Sequence, residues 1–106
     1  METKLTGRHI DITAAIKAHI EDKAEKLPRY NSSVDHVEII IDGAEGGNPS
    51  IEIIAKGGHN QLFVVKETTN GDEDFYALVD TVFHKMERQL RKAKEKERNP
   101  MHSASE

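Results

Sequence analysis

Apolar residues recur at helical spacing between residues 11 and 28, at successive separations of four, four and three positions. Such separations place the side chains in one stripe along a helix. The stripe consists of Ile16, Ile20, Ala24 and Leu27. Thr13 is a suitable N-cap, and Pro28 cannot continue a helix. The pattern predicts an amphipathic helix of about four turns.

A second and stronger helical period lies near the end of the chain. Its apolar members are Phe75, Leu78, Val79, Val82, Phe83, Met86, Leu90 and Ala93. Acidic residues at 72–74 precede this segment, and basic residues are concentrated at 88–98. The helix dipole favours negative charge at the N-terminus and positive charge at the C-terminus of a helix. We predict a long helix that ends near Arg98.

Three β-branched segments separate the two helices, and a shorter one precedes the first. Residues 34–41, 50–55 and 61–67 follow one another through turn-rich loops, which predicts an antiparallel meander. Residues 4–8 form a further short strand. The order β-α-β-β-β-α indicates an α+β fold, in which two helices cover one face of a four-stranded sheet. The order also resembles that of a double-stranded RNA-binding domain.

Length and composition restrict the chain to one modest core. It has 106 residues, 5% aromatic residues and no cysteine, so disulfides, thiol nucleophiles and cysteine-based metal sites are excluded. No apolar run reaches the length of a membrane span. We expect a cytoplasmic protein with one domain over residues 1–98 and a disordered tail over 99–106.

Nothing in the sequence favours catalysis or a cofactor. Six histidines are scattered over different elements, and no two share the four-residue helical spacing of a metal site. The glycines at 43, 46 and 47 are flanked by acidic residues and lack the Lys-Ser/Thr of a phosphate loop. We expect no catalytic residue, no metal and no cofactor.

The net charge of −4 hides a segregation of charge along the chain. Residues 31–80 hold ten acidic and two basic residues, whereas residues 81–98 hold seven basic and three acidic ones. On a helical projection Arg88, Lys92 and Lys96 fall within roughly 60° of Lys85. We expect this stripe to lie beside the other helix, facing a row of His19, Lys23 and Lys26. Two such rows fit the phosphates on either side of an RNA groove, but solvated helix faces explain them equally well.

Two segments, residues 6–30 and 74–98, resemble the helical signatures of the ribosome hibernation-promoting factors, a family that includes ribosome-associated inhibitor A. The first resemblance rests on Thr6-Gly7, Ile12-Thr13, Ala15-Ile16-Lys17, Lys23, Lys26-Leu27 and Tyr30. The second rests on Asp74, Tyr76-Ala77, Asp80, Lys85 and the run from Glu87 to Lys92. The resemblance covers nearly the whole domain.

The resemblance implies a short-form factor that binds ribosomal RNA of the small ribosomal subunit in the channel of messenger and transfer RNA. It would inhibit translation during slow growth or stress by occupancy, without a small-molecule substrate or membrane, and as a monomer off the ribosome. The matching RNA-binding positions are Lys17, Lys23, Lys26, Lys85, Arg88, Arg91 and Lys92. A general double-stranded RNA-binding module and a protein-interaction domain are the alternatives.

Two further residues of the second signature, Tyr76 and Asp80, have an architectural role in this interpretation. On the projection they lie on the flank of the helix away from Lys85. We expect them to bond loops or strand ends instead of RNA.

The composition of residues 99–106 predicts that this segment can be removed without loss of folding or of inhibition. Residues 99–106 contain Pro100 and no periodic apolar residues, so they cannot bury enough surface to offset the entropy of ordering. A chain that ends at Arg98 should fold normally and inhibit cell-free translation as well as the full chain. If the truncated chain binds ribosomes but fails to inhibit, the tail carries the function.

Overall fold

The computed structural model describes residues 1–43, 47–58, 60–69 and 74–98, and the expected tail at 99–106 lies outside these ranges. Within these ranges two helices and four strands are present in the predicted order. They are β1 (Glu2–Arg8), α1 (Ala14–Glu25), β2 (Val34–Asp42), β3 (Ser50–Gly57), β4 (Gln61–Thr68) and α2 (Phe75–Arg98), with a 3₁₀ turn at Leu27–Arg29 after α1. The α+β prediction is confirmed, and the likeness to a double-stranded RNA-binding domain stays a prediction.

The sheet is mixed, with the strands in the order β1-β2-β3-β4. The three later strands form the predicted antiparallel meander. β1 instead runs parallel to β2, with Leu5 opposite Ile39. A parallel pair needs a crossover connection, and α1 supplies it.

Strand alternation divides the sheet into a buried face and an open face. Val37, Ile39 and Ile41 of β2 are completely buried, and they pair with Ala55, Ile53 and Ile51 of β3, which are buried as well. Both helices add their apolar stripes to this same core, so they cover one face, as predicted. The intervening residues of every strand point to the open face.

The first helix begins as predicted but ends earlier. The hydroxyl of Thr13 accepts a hydrogen bond from the backbone N–H of Ile16 at 3.2 Å, which is an N-cap contact. The α-helix has 12 residues, about three turns instead of four. Pro28 disfavours the α conformation at Leu27, and the chain continues as a 3₁₀ turn in which Leu27 is still buried.

The second helix supplies much of the core. Phe83, Leu78 and Met86 are among its six buried apolar side chains, and full burial of each contributes about 1.5–3 kcal/mol. The carboxylate of Asp74 accepts a hydrogen bond from the N–H of Tyr76 at 3.1 Å and so caps the first turn. Within the described ranges, neither helix is long and apolar enough to cross a membrane.

Gly43 shows why the loop after β2 begins with a glycine. Its N–H donates to the carbonyl of Arg8 at 2.7 Å, at the end of the β1–β2 pairing. A Cβ atom at this position would lie 2.2 Å from the carbonyl oxygen of His9, far inside contact distance. The close approach of two backbones therefore explains Gly43 without a phosphate loop, whereas Gly46 lies outside the described residues.

Asp80 of α2 links the two helices. Its Oδ1 atom accepts a hydrogen bond from Nε2 of His19 at 2.9 Å and lies 3.2 Å from Nζ of Lys23, both on α1. The ring of Tyr76 packs edge-on against His19, with 5.1 Å between ring centroids. The expectation that Tyr76 and Asp80 bond loops or strand ends is wrong, because α1 passes along that flank of α2.

The contacts of Asp80 change the pKa of its carboxyl group. Partial burial raises the pKa of the carboxyl, but the hydrogen bonds from His19 and Lys23 and the positive charge of Lys23 outweigh burial. The pKa is therefore lowered from its ordinary value of 3.8. Because this pKa is lower in the folded protein than in the unfolded chain, the ionised carboxylate stabilises the fold at pH values above the unfolded pKa. The stabilisation is lost as the pH falls through the folded pKa.

Asp80→Ala should lower the free energy of unfolding at pH 7 by about 0.5–1 kcal/mol, the scale of an exposed ion pair. The difference from wild type should shrink as the pH falls below 3.8. Urea unfolding at pH 7 and pH 3 measures both effects. Glu95→Ala is a suitable control, because Glu95 is exposed on the same helix and forms no ion pair with a described residue. An equal loss in both variants would contradict the link between the helices.

Candidate nucleic-acid interface

The seven predicted RNA-binding cations lie on the solvent side of the helical layer. Lys17 and Lys23 belong to α1, Lys26 is its C-cap, and Lys85, Arg88, Arg91 and Lys92 belong to α2. Six of them are exposed and Lys23 is half-buried. Because the apolar stripes hold both helices against the sheet, these side chains are directed away from the core. The cations nevertheless differ from one another in their contacts.

Lys85 lies on the flank of α2 that faces β4. Its ammonium group forms an ion pair with the carboxylate of Glu67 on β4. One turn further on, the side-chain amide of Gln89 donates to the carbonyl of Val64 at 3.3 Å. The expectation that Lys85 lies beside the other helix is therefore wrong, because α1 packs on the opposite flank of α2, where Asp80 lies.

Lys23 reaches α2 from the other side. Its ammonium group is paired with Asp80, and its side chain is 30% exposed. An open groove of about 500 Å³ extends from Lys23 across the solvent side of α2. The groove is lined by Lys23, Asp80, Thr81, His84, Lys85, Glu87 and Arg88. Cations from both helices thus border one groove, although two carboxylates lie in it as well.

Lys26 forms an ion pair within its own helix. Its Nζ atom lies 3.1 Å from Oδ2 of Asp22, four residues earlier. Both side chains are about half exposed. Pairs of this kind stabilise a helix by only about 0.3–0.5 kcal/mol, so a phosphate can replace the carboxylate at small cost.

Arg91 is held by an aromatic ring. Its guanidinium lies 4.9 Å from the centroid of the Tyr30 ring, a cation–π contact between the end of the 3₁₀ turn and α2. Arg29 and Lys94 border the same small cavity. Sequence reasoning missed these two cations, although the position of Arg29 just after Pro28 marked the place where the chain turns towards α2.

Arg88 and Lys92 are the cations of α2 with the fewest constraints. They are one turn apart and exposed, and neither forms an ion pair with any residue in the described part of the chain. The same holds for Lys17 near the start of α1. These three side chains can bind a phosphate without first breaking an ion pair with a carboxylate.

The open face of the sheet has no excess of positive charge. Strand alternation places four acidic and four basic side chains on it. They are Glu2, Glu38, Asp42 and Glu52, with Lys4, Arg8, Lys56 and Lys66. Three acidic residues from the middle of the sequence, Glu38, Asp42 and Glu52, are thus on the open face, whereas Glu67 and Asp80 lie on the helical side. Only the helical side favours a polyanion.

The described ranges contain no arrangement suited to catalysis by a metal. No group of three His, Asp or Glu side chains among them is placed to hold a metal ion. The site offers cations, a few carboxylates and an open groove. The charge and shape of such a surface suit an extended anion, and RNA phosphates are of this kind.

The sequence matches one family model and several known proteins. Residues 3–98 match the model of the family described as sigma 54 modulation protein / S30EA ribosomal protein. The ribosome hibernation promoting factor of Azotobacter vinelandii is 29% identical over 97 residues, which cover 92% of this chain and 86% of that protein. The ribosome hibernation promotion factor of Bacillus subtilis is 34% identical over 98 residues, 91% of this chain but 50% of that protein.

Solved structures agree with the fold. The N-terminal domain of Protein Y from Thermus thermophilus has a TM-score of 0.71 and 28% identity, and the match covers 87% of this chain and 98% of that domain. A ribosomal subunit interface protein from Coxiella burnetii has a TM-score of 0.76 at 23% identity, covering 89% of this chain and 98% of that one. The family match spans almost every element from β1 to the end of α2, and the chain belongs to the sigma 54 modulation protein / S30EA ribosomal protein family.

Proposed function

We propose that this protein is a ribosome hibernation factor that acts in the cytoplasm during slow growth or stress. It binds the small ribosomal subunit in the channel of messenger RNA and transfer RNA, and it uses the cations of α1 and α2. The observation that carries the proposal is the exposed pair Arg88 and Lys92 on the helical side of a domain whose open face is balanced in charge. The names of the related proteins support the same function.

Ribosomal RNA suits this surface for a physical reason. Phosphates line both sides of an RNA groove, and each contact with a lysine or arginine releases condensed counterions. Lys17, Arg88 and Lys92, which form no ion pair within the described ranges, supply contacts that need no rearrangement, and the groove between Lys23 and Lys85 accommodates the shape of a phosphate backbone. Binding of this kind depends on shape and charge more than on base sequence.

Inhibition by occupancy requires no chemistry from the protein. A rigid domain held in the channel excludes messenger and transfer RNA by volume. The large buried core and the Asp80 contacts between the helices provide this rigidity. We therefore assign no catalytic residue and no cofactor.

A protein-interaction domain is the second candidate, because the open face exposes two large apolar side chains. Leu62 is 60% exposed and Val64 is 43% exposed, both on β4. A general double-stranded RNA-binding module would instead bind isolated duplex RNA as tightly as ribosomes. Binding to small subunits, to duplex RNA and to ribosomal proteins separates these candidates in one set of titrations.

The paired substitution Arg88→Gln with Lys92→Gln should weaken binding to purified small subunits about tenfold and reduce the slope of log affinity against log salt by about two. Both residues are exposed and off the apolar stripe, so the fold should persist. Filter binding at several salt concentrations gives both quantities. Lys56→Gln with Lys66→Gln is the matched control, because it removes the same charge from the open sheet face.

Equal weakening by the two pairs would contradict the assignment of the helical side. A flat salt plot for the wild-type protein would point to a protein partner instead of RNA. Thermal unfolding of all variants checks that each is folded.

Occupancy of the channel predicts competition with transfer RNA. A molar excess of the protein should prevent labelled transfer RNA from binding to the P site of small subunits. The Arg88→Gln, Lys92→Gln variant at the same concentration should leave transfer RNA bound. Simultaneous binding of protein and transfer RNA would place the protein elsewhere on the subunit.

A further inference from the structure

We propose that Glu67 is an internal competitor of RNA: it holds Lys85 in the free protein and so limits the affinity of the helical surface for phosphate. The proposal rests on the proposed function, and it concerns how that surface is regulated. A carboxylate that lowers affinity keeps binding reversible.

Glu67 is a charged residue on the helical side of the sheet. It pairs in register with Ile51, whose side chain is completely buried, so the carboxylate belongs to the face that the helices cover. β4 is the last strand of the sheet, and there the carboxylate meets Lys85 of α2. The side chain of Glu67 is 26% exposed and that of Lys85 is 51% exposed.

The pair is not needed to hold α2 on the sheet. The buried side chains of Val82 and Met86 already fix this part of the helix. Gln89 bonds the carbonyl of Val64 one turn further along the same flank. Loss of the Glu67 charge therefore leaves the helix in place and frees the ammonium group.

The exchange of Glu67 for a phosphate as the partner of Lys85 has a small cost in free energy. An ion pair as exposed as this one contributes little to stability, so Lys85 can leave Glu67 for a phosphate. The abandoned carboxylate then attracts a cation from solution, which cancels part of the counterion release that drives RNA binding. It also repels the nearby phosphate. Glu67 thus reduces both the affinity and its salt dependence.

Lys85 differs in this respect from Lys23. The partner of Lys23, Asp80, also joins the two helices through His19, so its removal changes structure and charge together. Within the described ranges Glu67 pairs with Lys85 and with no other charged side chain. Glu67→Gln is therefore the substitution that isolates the competition.

Glu67→Gln should bind purified small ribosomal subunits about three- to tenfold more tightly than wild type at low salt. Its log–log salt slope should be steeper by up to about 0.9. Glu38→Gln is a closely matched control, because Glu38 is 25% exposed and pairs with Lys4 at 3.9 Å, but on the open sheet face. The control should bind like wild type at moderate salt, where distant charges are screened.

A double-mutant cycle with Lys85→Gln tests the partner. Lys85→Gln should weaken binding more in the Glu67→Gln background than in the wild-type background, since only there is the ammonium group fully available. Additive effects would overturn the proposal. So would equal affinities of Glu67→Gln and Glu38→Gln.

The outcomes separate this inference from the proposed function. If the wild-type protein does not bind small subunits at any salt concentration, the proposed function fails. If the wild-type protein binds and Glu67→Gln does not bind more tightly, only the proposal that Glu67 competes with RNA for Lys85 is overturned. Thermal unfolding midpoints for every variant exclude misfolding as the cause.

Discussion

The burial of the apolar stripe of α2 against the sheet is the constraint on which the rest of the structure depends. Phe83, Met86 and Leu90 sit in the core that Ile39 and Ile53 of the sheet also form. Once this stripe is buried, the rotation of the helix about its axis is fixed. Every other side chain of α2 is then assigned to a flank or to solvent, including each cation.

The same rotation gives the two flanks of α2 different neighbours. On one flank Asp80 meets His19 and Lys23 of α1, and on the other Lys85 meets Glu67 of β4. The cations on the flanks therefore have carboxylate partners, whereas Arg88 and Lys92, on the outward side, have none in the described chain. The cations that form one basic set in the sequence are therefore of two kinds in the structure: those paired with a carboxylate, and those without such a partner in the described chain.

The two faces of the domain are physically separate surfaces. The open sheet face carries equal numbers of acidic and basic side chains, and the helical side carries the seven cations. A net charge of −4 is compatible with a positive patch because Arg88 and Lys92 are exposed and have no carboxylate partner among the described residues. Domain-wide charge is consequently a poor guide to the partner of this protein, and the distribution over faces is a better one.

The sequence by itself determined the order of the elements, the core stripes and most of the candidate cations, because the periods of helix and strand are local properties. The Thr13 cap and the buried face of β2 could be read directly from neighbouring residues. Only the tertiary structure decided which cations are paired. Glu67 and Lys85 are 18 residues apart, and His19 and Asp80 are 61 apart, so no local pattern joins them. Helical projection gave the correct angles around α2, but the side on which α1 packs follows from the placement of both helices on one sheet.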